Sequence, residues 1–255
     1  MRCYLTKTSA LGTPRKAIGA QTLVQPRPVG KMALAALALS AIVLIANGLR
    51  MVGAGFADLQ VRAFLVDWEA KRTEPSSKAW QVAHQAAVRA VAYFPAPNGA
   101  YLERLGHVNA WQHFRHPRGD AHAQLSRQSA KEAYRDAIKY RPTWPYLWVS
   151  LARTKLDLLE FDPEFASALT QAQHHAPWRP EVNGRLAEVG FSTWTLLSSE
   201  QRDDVLTAAA RAVVLSKNWR APIFKLANRT AQTYSLCVKA ARWASELQLD
   251  ECADR

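Results

Sequence analysis

AKEAYRDAIKYRPTWPYLW, residues 130–148, carries in one short run the marks from which a helical architecture follows. Within it Ala133 and Ala137 stand four apart, and Pro142 follows five residues later. Alanines at i and i+4 lie on one helix face, where their small side chains let a neighbouring helix come close. Proline lacks an N–H and clashes with the preceding turn, so it ends that helix. The same marks recur at Ala86, Ala90 and Pro95 and at Ala168, Ala172 and Pro177. A fourth copy, Ala208 and Ala212, has Lys217 in the proline position. A close-packing helix followed by a stop, repeated along the chain, predicts stacked helical hairpins and an all-α fold.

The second and third copies are 35 residues apart, close to the tetratricopeptide period of about 34. In that repeat the first helix carries a large residue, then Leu and a small residue three and four positions on. Leu105-Gly106, Leu151-Ala152, Leu186-Ala187 and Leu226-Ala227 supply such pairs, the first three between successive alanine marks and the last after the fourth. Leu102, Trp148 and Ile223 stand three before their leucines, and Asn183 departs from the pattern before Leu186. Nowhere does apolar and polar alternation meet a Gly-rich turn, so strands are not expected. The expectation is a degenerate tetratricopeptide-like solenoid over residues 57–255, long enough for one core. Such arrays hold partners, commonly on the concave face made by their first helices.

Ahead of the array, Met32–Leu49 runs for eighteen residues without a charge, between Lys31 and Arg50. About 20 helical residues cross a bilayer, and with Arg50 snorkelling the span extends over 32–56. Residues 1–31 form a basic tail, and the first acid in the chain is Asp58. That asymmetry predicts a single pass with a cytoplasmic N-terminus and a helical domain outside, in a bacterium the inner membrane and the periplasm. A cleaved signal cut after Gly55-Phe56-Ala57 is the rival reading, and an organelle transit peptide is a poorer one because of the apolar run. Residues 1–50 hold seven positive charges, so +5 of the net +12 remains for the rest. A pI near 9.9 is therefore largely topological, and no nucleic-acid motif accompanies it. The remaining excess suits lipid headgroups or an acidic polysaccharide.

Asp58–Arg72 has helical apolar spacing and extends the membrane helix. Pro75-Ser76-Ser77 then breaks the chain and caps a helix to about Phe94. The next runs from Asn98-Gly99 to about Arg115. Pro117-Arg118-Gly119 makes a turn, with Asp120 as a candidate cap, before a helix that stops at Arg141-Pro142. Helices are then expected over 145–159, 163–175, 180–197, 200–216, 220–236 and 239–250, with Asp162 and Ser199 as caps.

Catalytic and metal constellations are not evident. His113 and His116 are three apart and His174 and His175 adjacent, whereas helical zinc pairs stand four apart beside an acid. Glu200, Asp203 and Asp204 cluster at a helix start, where acids complement the dipole. No phosphate loop or nucleophile elbow occurs. No catalytic residue, metal or cofactor is expected. Cys3 lies on the tail. Cys237 and Cys252, fifteen apart, either bridge in an oxidising compartment or remain separate thiols, with Cys237 buried as a small hydrophobe. Arg141-Pro142-Thr143-Trp144-Pro145-Tyr146-Leu147-Trp148 is the densest aromatic and proline stretch. It either grips a partner or sugar or wedges consecutive repeats at a fixed angle.

RPTWPYLWVSLARTKL, DPEFASALTQAQHHAPWRPEV and GFSTWTLL together resemble the VpsP-type polysaccharide biosynthesis proteins of bacteria, over about Ala130 to Val214. The hallmarks matched are Arg141, Pro142, Trp144, Pro145, Trp148, Pro177, Trp178, Pro180 and Trp194. Arg179 departs, standing where the family tends to carry Glu, and so reverses a charge at a contact surface. The resemblance implies a single-span inner-membrane protein with a tetratricopeptide-like domain that works with polysaccharide polymerase, export or glycosyltransferase proteins. The hallmarks mark the family and not a known active site; the candidate partner-binding residues of this chain are Arg141, Trp144, Trp148, Trp178, Arg179 and Trp194. Two other functions remain open: a periplasmic protein that binds or modifies glycan directly, and a general envelope chaperone or adaptor.

Overall fold

A computed structural model describes residues 28–243 and Cys252. The basic positions Arg2 to Arg27, Cys3 and the expected helix end near residue 250 lie outside the described residues. All regular structure among them is helical, with no strand. The long apolar helix α1 covers Pro28–Lys71. It is followed by α2 (Ser77–Tyr93), α3 (Gly99–Trp111), α4 (Gln124–Tyr140), α5 (Pro145–Leu158), α6 (Pro163–His175), α7 (Pro180–Ser192), α8 (Ser199–Leu215), α9 (Lys217–Arg229) and α10 (Thr233–Ala241). Internal contacts divide the chain between Ile45 and Ala46.

In the first unit the described residues belong to α1, whose apolar side chains from Met32 to Ile45 are exposed. By length and composition α1 is able to cross a membrane. Its helix continues through Asp58–Lys71, as the spacing there predicts.

In the second unit the alanine marks lie where close packing needs them. Ala86, Ala90, Ala133, Ala137, Ala168, Ala172, Ala208 and Ala212 are all buried. Each of the first three pairs sits on a helix that stops two residues short of its proline, at Tyr93, Tyr140 and His175. The small partners Gly106, Ala152, Ala187 and Ala227 are buried too. Gly106 shows why: a Cβ there would stand 2.6 Å from Cε1 of the buried Tyr134 ring, so α3 reaches α4 only as glycine. Gly184 and Gly190 face Trp219 and Val205 in the same way.

Each helix from α2 to α10 packs on the next in sequence. Helices two apart also touch: α5 with α7, α7 with α9, α6 with α8, and α8 with α10. One apolar cluster joins Val61 and Trp68 of α1 to Ala83, Ala86 and Ala87 of α2 and Val108 of α3. A larger one runs from Ala130 to Ala240 through α4–α10.

Several boundaries differ from expectation. The helix expected to reach Arg115 ends at Trp111, where Gln112 and His116 donate to carbonyls only three residues back and lead into Pro117. The helix expected over 180–197 stops at Ser192, because the Thr193 hydroxyl donates to the carbonyls of Val189 and Gly190. A short 3-10 turn, Trp194–Leu196, follows. Ser198, not Ser199, caps α8, in a reciprocal pair with Gln201. The helix expected over 220–236 begins instead at Lys217, with Pro222 inside it. It breaks at Arg229, where Thr230 donates to Leu226 and Ala227 and Ala231 takes a left-handed φ of 56°. Consequently α10 starts at Thr233, ahead of the expected 239. Asp162 caps α6 as expected, accepting from the Phe165 N–H at 3.0 Å.

Candidate functional site

The residues singled out from sequence gather at three turns between successive helices. At the α4–α5 turn Arg141 and Trp144 meet, with the guanidinium carbon 4.3 Å from the indole centroid. Both converge on Glu103 of α3. Arg141 Nη1 donates to one carboxylate oxygen at 2.7 Å, and Trp144 Nε1 donates to the other at 3.1 Å. Burial raises the Glu103 carboxyl from its ordinary value, against the opposing pull of Trp144 and Arg141. Trp148 Nε1 turns back to donate to the Pro142 carbonyl at 2.6 Å. Both indole N–H groups and the guanidinium of this stretch are therefore engaged within the chain, at Glu103 and at the Pro142 carbonyl.

At the α6–α7 turn the order is different. Trp178 is 55% exposed and meets Trp243, 39% exposed, edge to face at 4.9 Å. The Arg211 guanidinium of α8 lies 4.8 Å from one ring and 4.9 Å from the other, a cation held between two indoles. Its Nε is buried without a hydrogen-bond partner, and burial lowers its pKa. Arg179, next in sequence to Trp178, is exposed. Neither Arg211 nor Trp243 was signalled by the sequence, since spacing relates neither to Trp178.

Trp194 stands apart from both. It stacks on Phe191 at 5.6 Å, and Arg202 reaches over it and donates to its carbonyl at 3.0 Å.

Beneath α4, α5 and α6 lies a charge network. Lys155, whose side chain is wholly buried, donates to Asp162 at 2.8 Å and Glu164 at 2.7 Å, with Glu160 at 3.4 Å. Lys131 grips Glu160 at 2.8 Å, and Arg135 grips Glu164 through two bonds of 2.8 and 2.6 Å. Every charge meets its opposite at hydrogen-bond distance, so the network braces three helices. Burial alone would lower the Lys155 pKa, but its bonds to Asp162 and Glu164 outweigh that and raise it. The Glu200, Asp203 and Asp204 cluster is also engaged: Lys239 donates to Asp203 at 2.7 Å, while burial and the neighbouring acids raise Asp204.

Cys237 and Cys252 form a disulfide, tying α10 to the chain's last described residue. The histidines segregate as well. His107, half-buried, packs edge-on against Tyr134, and desolvation followed by the charges of Arg185 and Arg104 brings its pKa down to about 4. His113 and His116, in the turn after α3, stand 4.9 Å apart between ring centres. Glu74, from the α1–α2 connection, comes to 3.5 Å of His113 Nδ1. No protein-family model and no curated protein matches the sequence.

Proposed function

We propose that this chain is a non-enzymatic scaffold for bacterial exopolysaccharide or capsule assembly. In this reading α1 anchors it once in the inner membrane, the N-terminus is cytoplasmic, and a tetratricopeptide-like array works in the periplasm. The pattern of helix neighbours is the observation that carries the proposal. Contacts between α5, α7 and α9, and separately between α6, α8 and α10, agree with the neighbours expected of two stacked layers of hairpins. Buried small residues at both helix types of each hairpin support the same reading. The long exposed apolar helix supports the anchor, and the likeness to VpsP-type proteins supplies the pathway. Partners of this array are a polysaccharide polymerase, an export component or a glycosyltransferase.

A second reading, direct glycan binding, draws support from Trp178, Arg211 and Trp243, where exposed indoles flank a cation. It calls for affinity for an acidic oligosaccharide that falls as salt rises.

The test is a clean gene deletion together with purification of the full chain from membranes. Reduced secreted polymer and co-purification of a polymerase, exporter or glycosyltransferase support the scaffold. Normal polymer yield and length in the deletion strain overturn it.

A further inference from the structure

We propose that Glu74, His113 and His116 bind a divalent transition-metal ion of the zinc type. One ligand atom from each lies within 4.8 Å of the others, and all three residues are half-buried. Two imidazoles and one carboxylate form a borderline donor set suited to zinc, with a position left for water.

Three observations go beyond proximity. First, His113 Nδ1 is shielded from water and has no hydrogen-bond partner. Its neighbour, Glu74 Oε1, is 3.5 Å away, too far for a good hydrogen bond. Two ligands on a tetrahedral ion with bonds of about 2.0–2.1 Å stand about 3.4 Å apart. The gap that is awkward for a proton is the spacing an ion imposes.

Second, His116 presents its Nδ1 to the Asp120 carboxylate at 3.3 Å. That leaves Nε2 for the ion, in the carboxylate–imidazole–metal order that fixes tautomer and ring direction. Asp120 is itself held, accepting from the His122 N–H at 2.8 Å.

Third, the backbone under His116 is clamped. The buried Arg127 donates to the carbonyls of His116 at 2.7 Å, Pro117 at 2.8 Å and Asp157 at 3.0 Å. The turn carrying the ligand is thus tied to α4 and α5. Beside the donors a cleft of ≈ 270 Å³, lined by Glu74, Trp80, Gln112 and His113 among others, gives an ion and its water entry. A bound ion would staple the α1–α2 connection to the turn after α3, independently of any catalytic role.

The experiment uses the full chain in detergent, without a polyhistidine tag and stripped by chelator, titrated with Zn²⁺ alone by calorimetry. One equivalent binds per chain. Glu74→Gln, His113→Ala and His116→Ala each weaken binding by at least about tenfold, and Asp120→Asn weakens it by about tenfold. His174→Ala with His175→Ala leaves it unchanged, which separates this site from surface histidine binding. Co²⁺ gives visible d–d absorption that is lost in His113→Ala and His116→Ala, while circular dichroism shows those variants folded. Absence of saturable one-to-one binding overturns the proposal. So does zinc affinity that survives both His113→Ala and His116→Ala.

Discussion

Lys155→Met tests whether the charge network beneath α4, α5 and α6 holds those helices together. Methionine keeps most of the lysine stem's volume, so the cavity contribution is small. What disappears is the cation bonded to Asp162 and Glu164. Removing one partner of a buried ion pair costs about 3–5 kcal/mol. Here the carboxylates are partly exposed, Glu160 keeps Lys131, and Glu164 keeps Arg135. Solvent screening and those surviving partners bring the expected loss to about 2–3 kcal/mol, a sizeable share of a domain's stability of about 5–15 kcal/mol. Urea unfolding of the full chain in detergent, followed by far-ultraviolet circular dichroism, reads this as a lower midpoint at unchanged slope. An acid series adds an independent readout. The Arg135 hydrogen bond first, then Lys155, holds Glu164 at about 2, against 4.5 when unperturbed. A carboxylate with a lowered folded pKa contributes its stability fully above 4.5 and loses it as pH falls toward 2. Glu160 and Asp162 are lowered too, so the wild-type chain weakens across that window and Lys155→Met weakens less steeply. A loss under about 0.5 kcal/mol, with an acid profile like wild type, would refute the bracing role.

Gly106→Ala places a Cβ against the Tyr134 ring at 2.6 Å. Overpacking of about 1–3 kcal/mol outweighs a helix-propensity gain of about 1 kcal/mol, and thermal unfolding should show a lower Tm. A higher Tm would mean that Tyr134 yields and that α3 and α4 are loosely packed. Asp58→Asn removes a buried carboxylate that Arg104 grips through two nitrogens and Arg62 reaches at 2.9 Å. Hydrogen exchange in α3 should rise by at least about tenfold, reflecting a loss of more than about 1.4 kcal/mol. Unchanged exchange there would show that α1 is not secured to α3 by this pair.

The regular part of the fold was legible because its determinants are local. An alanine pair, a proline two residues past the helix end and an Asp or Ser cap each act within one turn, and α2 and α6 follow all three; α4 keeps the alanine pair and the proline, but Asp120 caps the 3-10 turn Ala121–Ala123 ahead of it and not α4 itself. The C-terminal third was less legible for the same reason. Lys217 stands where a proline would follow Ala212, and the α9 stop depends on a Thr230 hydroxyl and a left-handed Ala231 that no spacing rule reports. Sites were least legible. Glu74 is far from His113 in sequence, and Arg211 is far from both Trp178 and Trp243. Their association is created by helix packing, so a motif search confined to short spacings passes over both groups.

That distinction bears on which residues face a partner. Arg141 and Trp144 are the most conspicuous members of the aromatic stretch, yet Glu103 takes the Arg141 N–H and the indole N–H, and Arg141 covers the indole face. Residues so engaged set the angle between α3, α4 and α5, because moving either would strand a half-buried carboxylate. Trp178 and Arg179 have the opposite character. The indole is more than half exposed, its face is shared with a guanidinium on a different helix, and Arg179, the next residue in sequence, is exposed. Tryptophan and arginine are among the residue types enriched where protein interfaces concentrate their binding energy. Under the proposed scaffold function, the α6–α7 turn is the surface open to a partner, whereas the α4–α5 turn is committed to holding α3, α4 and α5 together.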